Sequence, residues 1–425
     1  MKKKKAPLGH RMKEFVKTSV VWGPLDHNLF FTIIFLNVYG IIMVYSASYN
    51  NSITKNYSYF MNNQLKNVIF GFVIMIVASY VNYHRIVRFG WGWFWLLAAV
   101  AIIAALKTPL AHSELGATRL IKLGPVSFQA AEPIKAAIII FFAYYVSYWG
   151  LNRWYNQLLA CLLAIALLGF LFFFSNNLST VIVLFCICAV IILSSVKKPD
   201  LYLYFLLGLA LIIIAAIFVT VYLLMHQGAE NFRFVRIRAW LHPEEYAADE
   251  GLQAMQARYA IGAGGFWGKG LGQSLIKFKL SYSYNDFILA IICEELGVFG
   301  VIVMMTLFGY LLYRIYKIAQ NAWDIEGKVL AIGVFTQIAL QLLINVMVVT
   351  SVIPTTGVTL PFFSAGGTSV VFLLAELGMV LNVDKYAKER RFFEEAERHV
   401  AQMEQRGGIG VAGWRRRLDS ARTRR

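Results

Sequence analysis

Several groups of residues in this 425-residue chain have the types and spacing to do chemistry. Asp286 stands where a long polar connection gives way to the apolar run Phe287-Ile288-Leu289-Ala290, and Glu294-Glu295 follow about two turns later. A lone acid at a helix start can be a cap or a dipole partner. Three acids on one apolar span, next to a glycine-rich connection, weigh towards a functional site, because ionisable groups at membrane depth are costly. Glu132 and Lys135 stand at i and i+3, on one helix face, with Pro133 suited to the first turn. Two readings stand for this pair: an anchor at a helix end, or the lining of a polar cavity. Glu376, with Gln337, Gln341 and Asn345, extends the polar set into the later apolar runs.

Two glycine-rich segments flank these residues. Segment 260–272, which includes Lys269, has neither Walker nor dinucleotide spacing; its glycines suit close approach to a bulky ligand or re-entrant turns. Segment 361–369 contains Ser364, Gly366, Gly367 and Ser369, and its Gly-Gly-Thr-Ser can open a helix whose free N–H groups face a phosphate. No HExxH, GxSxG or nucleotide-binding loop occurs in the sequence. The four cysteines, Cys161, Cys186, Cys188 and Cys293, all lie in apolar runs, so neither a disulfide framework nor a metal cluster is expected.

The elements that must position these groups follow from composition. Hydrophobic residues make up 59% of the chain and charged residues 15%, against roughly 45–50% and about 25% in soluble domains. That excludes a disordered chain and argues against a soluble enzyme. The apolar residues arrive in about ten blocks, at 28–47, 66–83, 91–106, 133–149, 155–174, 178–196, 200–225, 287–315, 328–350 and 367–383, each near the length of a membrane span. The expected fold is therefore all-α and polytopic, with about ten transmembrane helices.

The net charge of +17 sits mostly at the two ends. A basic segment 1–27, the membrane domain 28–384 and a basic tail 385–425 give both termini a cytoplasmic location, held near anionic lipid. The short connections carrying His84, Arg85, Arg88, Arg153, Lys197 and Lys198 fit the same topology. No nucleic-acid-binding fold motif is found with this charge, so no nucleic-acid partner is expected. The topology leaves outside a loop of about 225–286 between the seventh and eighth spans. It carries Arg233, Arg236, Arg238 and Arg258, read either as a solvated loop or as a site for an anionic ligand.

Taken together, the motifs resemble the shape, elongation, division and sporulation (SEDS) family of bacterial membrane proteins. The resemblance rests on Tyr45-Ser46-Ala47-Ser48, on Gly116-Ala117-x-Arg119 with Phe128-Gln129-x-x-Glu132-x-x-Lys135, and on 260–272. It also rests on Asp286-Phe287-Ile288 with Glu294-Glu295-Leu296-Gly297, and on 360–369. Asn176-Asn177-Leu178-Ser179-Thr180 is more similar to division or sporulation members from Firmicutes than to the rod-elongation branch. Leu120 stands where the family usually has tryptophan, and Ala365 where it usually has tyrosine.

The resemblance implies a peptidoglycan glycosyltransferase in the bacterial plasma membrane, its active site facing outside. It would polymerise lipid II beside a class B penicillin-binding protein and other divisome proteins. Asp286 matches the family's essential aspartate and would act as general base. Arg119, Lys122, Arg233, Arg236 and Lys269 would meet the diphosphate, aided by a divalent cation, Mg or Mn. Glu132, Lys135, Ser364, Gly366, Gly367 and Ser369 would complete the substrate site. The rival functions are a lipid II flippase, for which Asp286 would be incidental, and a non-catalytic divisome scaffold.

Overall fold

The first long helix, α1 (His27–Ser48), contains no Asp, Glu, Lys or Arg. It buries Leu29, Ile33, Leu36 and Met43 but exposes Phe31, Phe35, Val38 and Ile42. An apolar stripe exposed along a whole helix is costly in water and ordinary in hydrocarbon. The next helix, α2 (Tyr59–Tyr80), repeats the pattern with Ile69, Phe70, Val73 and Val77 outward.

The computed structural model describes residues 21, 23–48, 59–108, 111–114, 117–123, 126–175, 177–196, 232–245, 250–278, 280, 283–365 and 367–405. After α2 come the short α3 (Tyr83–Val87), a 3-10 turn (Phe89–Gly92) and α4 (Trp93–Ala105), then strands β1 (Ala111–Glu114), β2 (Ala117–Leu123) and β3 (Val126–Gln129). The chain continues as α5 (Ala131–Trp149), α6 (Trp154–Ser175), α7 (Leu178–Ser195), α8 (Phe232–Leu241) and α9 (Glu250–Gly264). It ends in α10 (Ile288–Gln320), α11 (Ile325–Val349) and α12 (Ser369–Gln405).

Among the described residues, six helices are long and apolar enough to cross a membrane: α1, α2, α6, α7, α10 and α11. Helix α4, with 13 residues, spans about 20 Å against a hydrocarbon layer of about 30 Å. Block 200–225 lies outside the described residues, as do 1–20 and 406–425 of the basic ends. Helix α12 runs without interruption through position 384, where the membrane domain was expected to give way to the tail.

The expectation of an all-α chain needs correction. The three strands form an antiparallel sheet in the order β1-β2-β3, with Leu120 opposite Gln129 and Ile121 opposite Phe128. The cause is local: the stretch Thr118, Leu120, Ile121 and Leu123 is rich in branched side chains, and only Gly124 and Pro125 separate β2 from β3. Strand β3 leads almost directly into α5, so the sheet fixes where the Glu132 helix begins.

Helix α11 is central, packing on α5, α7, α10 and α12, while α2 lies along α12 and α1 along α10. Helix α10 is broken. Gly297 has φ 64° and ψ −163°, a conformation confined essentially to glycine. The break frees backbone groups that the glycine-rich segment satisfies. The amides of Lys269 and Gly270 donate to the carbonyls of Glu294 and Glu295, each at 2.9 Å, and the amides of Val298 and Phe299 donate to Gly265 and Phe266, each at 3.1 Å. A Cβ at Gly297 would lie 2.4 Å from both Gly268 N and Phe266 O. These glycines therefore let two backbones meet, the re-entrant alternative of the two sequence readings.

Candidate active site

Asp286 lies in the turn before α10, half-buried. The helix N-cap is Phe287, so Asp286 stands one position before the cap. Two other segments hold the backbone of residues 284–286. Asn345 of α11 donates through Nδ2 to the Asp286 carbonyl at 2.8 Å and to Val358 O at 2.9 Å. Ser364 donates to Asn285 O at 2.9 Å while its hydroxyl accepts from Leu360 N at 2.7 Å. The amide of Ala365 donates to Tyr284 O at 2.9 Å. Within this loop Phe362 has φ 66°, uncommon for a residue with a side chain. Its buried ring packs near Phe308, which helps hold that conformation.

Glu132 and Lys135 form one buried pair, with Lys135 Nζ 2.9 Å from Glu132 Oε1 and 2.8 Å from Oε2. They line a small polar cavity with Gln129, Asn177, Ser179, Thr180 and Gln341. A second small cavity shares Glu132, Gln341 and Thr359 and is walled by Ser364 and Ser369. Ser369 donates to Gln129 Oε1 at 3.2 Å, tying the start of α12 to the end of β3. Glu132 and Lys135 thus combine the two readings: an ion pair in the first turn of α5 and part of a cavity wall. Ser364 joins the two regions, since it walls the cavity and holds the residue beside Asp286. Gln337 donates to the buried Glu376 at 2.7 Å.

The other candidate residues separate. Arg119 and Lys122 lie on β2, and Arg233 on α8. Arg236, also on α8, lines a cavity with Trp240, Ser351 and Thr355; Trp240 Nε1 donates to Ser351 O at 2.9 Å and fastens α8 to the end of α11. Lys269 is paired with Glu294 at 2.7 Å, which gives it a structural partner. Gly367 adopts φ 55° just before α12, and Gly366 lies outside the described residues.

Glu294 and Glu295 do not open into the cavity. Glu294 accepts from Lys269 Nζ, Ser274 Oγ at 2.5 Å, Leu275 N and Ile276 N. Glu295 accepts from Ser46 Oγ at 2.5 Å and Ser274 N at 3.3 Å, with Lys277 Nζ at 3.5 Å. Both are fully buried and clamp the glycine-rich loop. Sequence spacing hid this role because Ser46 is 249 positions away.

A second polar cluster went unanticipated at the far end of α10. Asp324 caps α11 through Gly327 N at 2.8 Å, and accepts from Tyr83 Oη at 2.9 Å and His84 Nε2 at 2.5 Å. Glu326 accepts from Arg88 and Ser147. His84 and Arg88, read from sequence as topology charges, here join α3 to α11. Burial alone would raise the Asp324 pKa, but the His84 hydrogen bond, the Gly327 amide, the His84 charge and Tyr83 bring it below its ordinary value.

Among the described residues, no three His, Cys, Asp or Glu side chains converge as an ion site.

Comparison with known proteins agrees with this architecture. A family profile described as cell cycle protein, covering FtsW, RodA and SpoVE, matches residues 26–389. The probable peptidoglycan glycosyltransferase FtsW of Bacillus subtilis is 32% identical over 374 residues, which is 85% of this chain and 91% of the relative. Stage V sporulation protein E of the same organism is also 32% identical, covering 84% of this chain and 96% of the relative. A solved structure described as the structural coordination of polymerization and crosslinking by a peptidoglycan synthase complex superposes with a TM-score of 0.72. It is 22% identical and covers 86% of this chain and 99% of that one. With its apolar outer surface, six membrane-length helices and near full-length match, this chain is a multi-pass membrane protein belonging to the SEDS family of FtsW, RodA and SpoVE.

Proposed function

We propose that this protein is a peptidoglycan glycosyltransferase that polymerises lipid II into β-1,4-linked glycan strands during cell division, with Asp286 as general base. The observation that carries the reading is the junction at Ser364, where the polar cavity of Glu132 and Lys135 meets the backbone that presents Asp286. In the topology this implies, the six clear spans together with α4, α5, α12 and segment 200–225 make ten. Both termini are cytoplasmic, and the loop before Asp286 faces outside.

The growing lipid-linked glycan is the donor, and a second lipid II offers its GlcNAc 4-hydroxyl. Asp286 takes the hydroxyl proton as the oxygen attacks the anomeric carbon. The bond to the diphosphate breaks, its electron pair leaves with the phosphate oxygen, and the α-linkage inverts to β. One carboxylate suffices because the diphosphate leaves without protonation when cations stabilise it. Arg119, Lys122, Arg233 and Arg236 are assigned to that charge, while Lys269 stays with Glu294. The partner is a class B penicillin-binding protein within the division assembly, and the basic ends lie on anionic lipid.

The test is polymerisation of lipid II in detergent by the purified chain with its penicillin-binding partner. Wild type should make strands and Asp286→Ala none. Equal product from both removes Asp286 as base; lipid II translocation in vesicles with no polymer from wild type would favour the flippase.

A further inference from the structure

The nine residues from Ile288 to Leu296 form a half-helix between Asp286 and the break at Gly297. Because Gly297 leaves helical geometry, the rest of α10 does not fix this half-helix by itself, and something else must set its position. The glycine-rich loop, α11 and the Ser364 loop supply several of the contacts that do so, and helix α1 adds a further set of its own. Ser46 Oγ donates to Glu295 Oε2 at 2.5 Å, two residues before the break, and both residues are buried. Ser283, three residues before Asp286, donates to the Ala47 carbonyl at 3.4 Å. Beyond the break, Tyr39 Oη donates to Gly300 O at 3.1 Å. Helix α1 thus touches the Asp286 segment before, within and after the half-helix.

Ser46 is the strongest of these contacts, being charge-assisted, short and sealed from water. Glu295 Oε1 faces the Ser274 amide and Lys277, so the Ser46 hydroxyl is the donor that ties this carboxylate to α1. We propose that Ser46 is a positioning residue for Asp286, acting through Glu295 to fix the half-helix against α1. The inference rests on the glycosyltransferase reading above. A general base must sit within hydrogen-bond reach of its proton, and a misplacement of about 1 Å can lower the rate about 100-fold.

The full chain with its penicillin-binding partner is assayed on lipid II in detergent, comparing wild type, Ser46→Ala, Ser46→Thr and Asp286→Ala. Ser46→Ala should lower kcat about 10- to 100-fold with KM changed less than about threefold, and Ser46→Thr, which keeps the hydroxyl, should recover most of kcat. Should Ser46→Ala fail to fold, Ser46→Cys keeps the size with a weak donor and gives the same comparison. An unchanged kcat, a rise in KM alone, or an equal loss in Ser46→Thr overturns the inference. If Asp286→Ala matches wild type, or wild type makes no polymer, the functional reading fails first and the inference falls with it.

Discussion

Gly297 gives a direct way to perturb the element that presents Asp286. Gly297→Ala places a Cβ 2.4 Å from Gly268 N and from Phe266 O, backbone atoms that cannot turn aside as a side-chain tip can. The Ala must hold a backbone conformation that costs about 1–3 kcal/mol, and the loop must also retreat, weakening the four backbone bonds between 265–270 and 294–299. Each such bond contributes about 1 kcal/mol net, so the substitution should cost about 3–6 kcal/mol. Gly169 in α6 is the control, because a Cβ there meets nothing within 4 Å. Ala at that position should be neutral or stabilising by up to about 1 kcal/mol. Thermal unfolding of the purified protein in detergent should show Gly297→Ala lowered by about 5 °C or more and Gly169→Ala unchanged or raised. Equal midpoints for Gly297→Ala and wild type would mean that the loop and broken helix are not locked as described.

Other consequences are open to measurement. Glu132→Gln leaves Lys135 buried without its carboxylate and should destabilise by about 3–5 kcal/mol in detergent denaturation. Replacing both partners with apolar residues should restore much of that stability while abolishing polymerisation. Asp324 has a folded pKa below its ordinary 3.8, so its ionic contribution is present above that value and is lost as pH falls through the lower folded value. Asp324→Asn should therefore be less stable than wild type at pH 7, with the difference shrinking below about pH 4 in pH-dependent melts. Arg236→Ala should lower kcat for lipid II polymerisation more than it raises KM, as measured by initial rates across substrate concentrations.

Much of the site could be read from residue types at short range. Asp286 at the entry to an apolar run, and Glu132 and Lys135 at i and i+3, needed no partner beyond a few positions away, and the structure keeps both features. Long-range partners were not legible in this way. Glu294 and Glu295 read as functional-site acids beside Asp286, whereas the fold brings Ser274, Lys277 and Ser46 to them. His84 and Arg88 read as topology charges, whereas their carboxylate partners lie about 240 positions later. The strands escaped notice because β1 and β3 have only four residues each, too short for a two-residue alternation to stand out beside apolar blocks of twenty. Phe362 at positive φ left no sequence signal, since that conformation is ordinarily reserved for glycine.

The most direct measurement compares wild type with Asp286→Asn, which keeps the shape of the side chain and removes its basicity. Both are purified with the penicillin-binding partner, supplied with the same lipid II, and their glycan strands are quantified on gels. Wild type should build strands, and Asp286→Asn should be slower by about 100-fold or more. Strands of equal amount and length from both proteins would contradict a general-base role for Asp286.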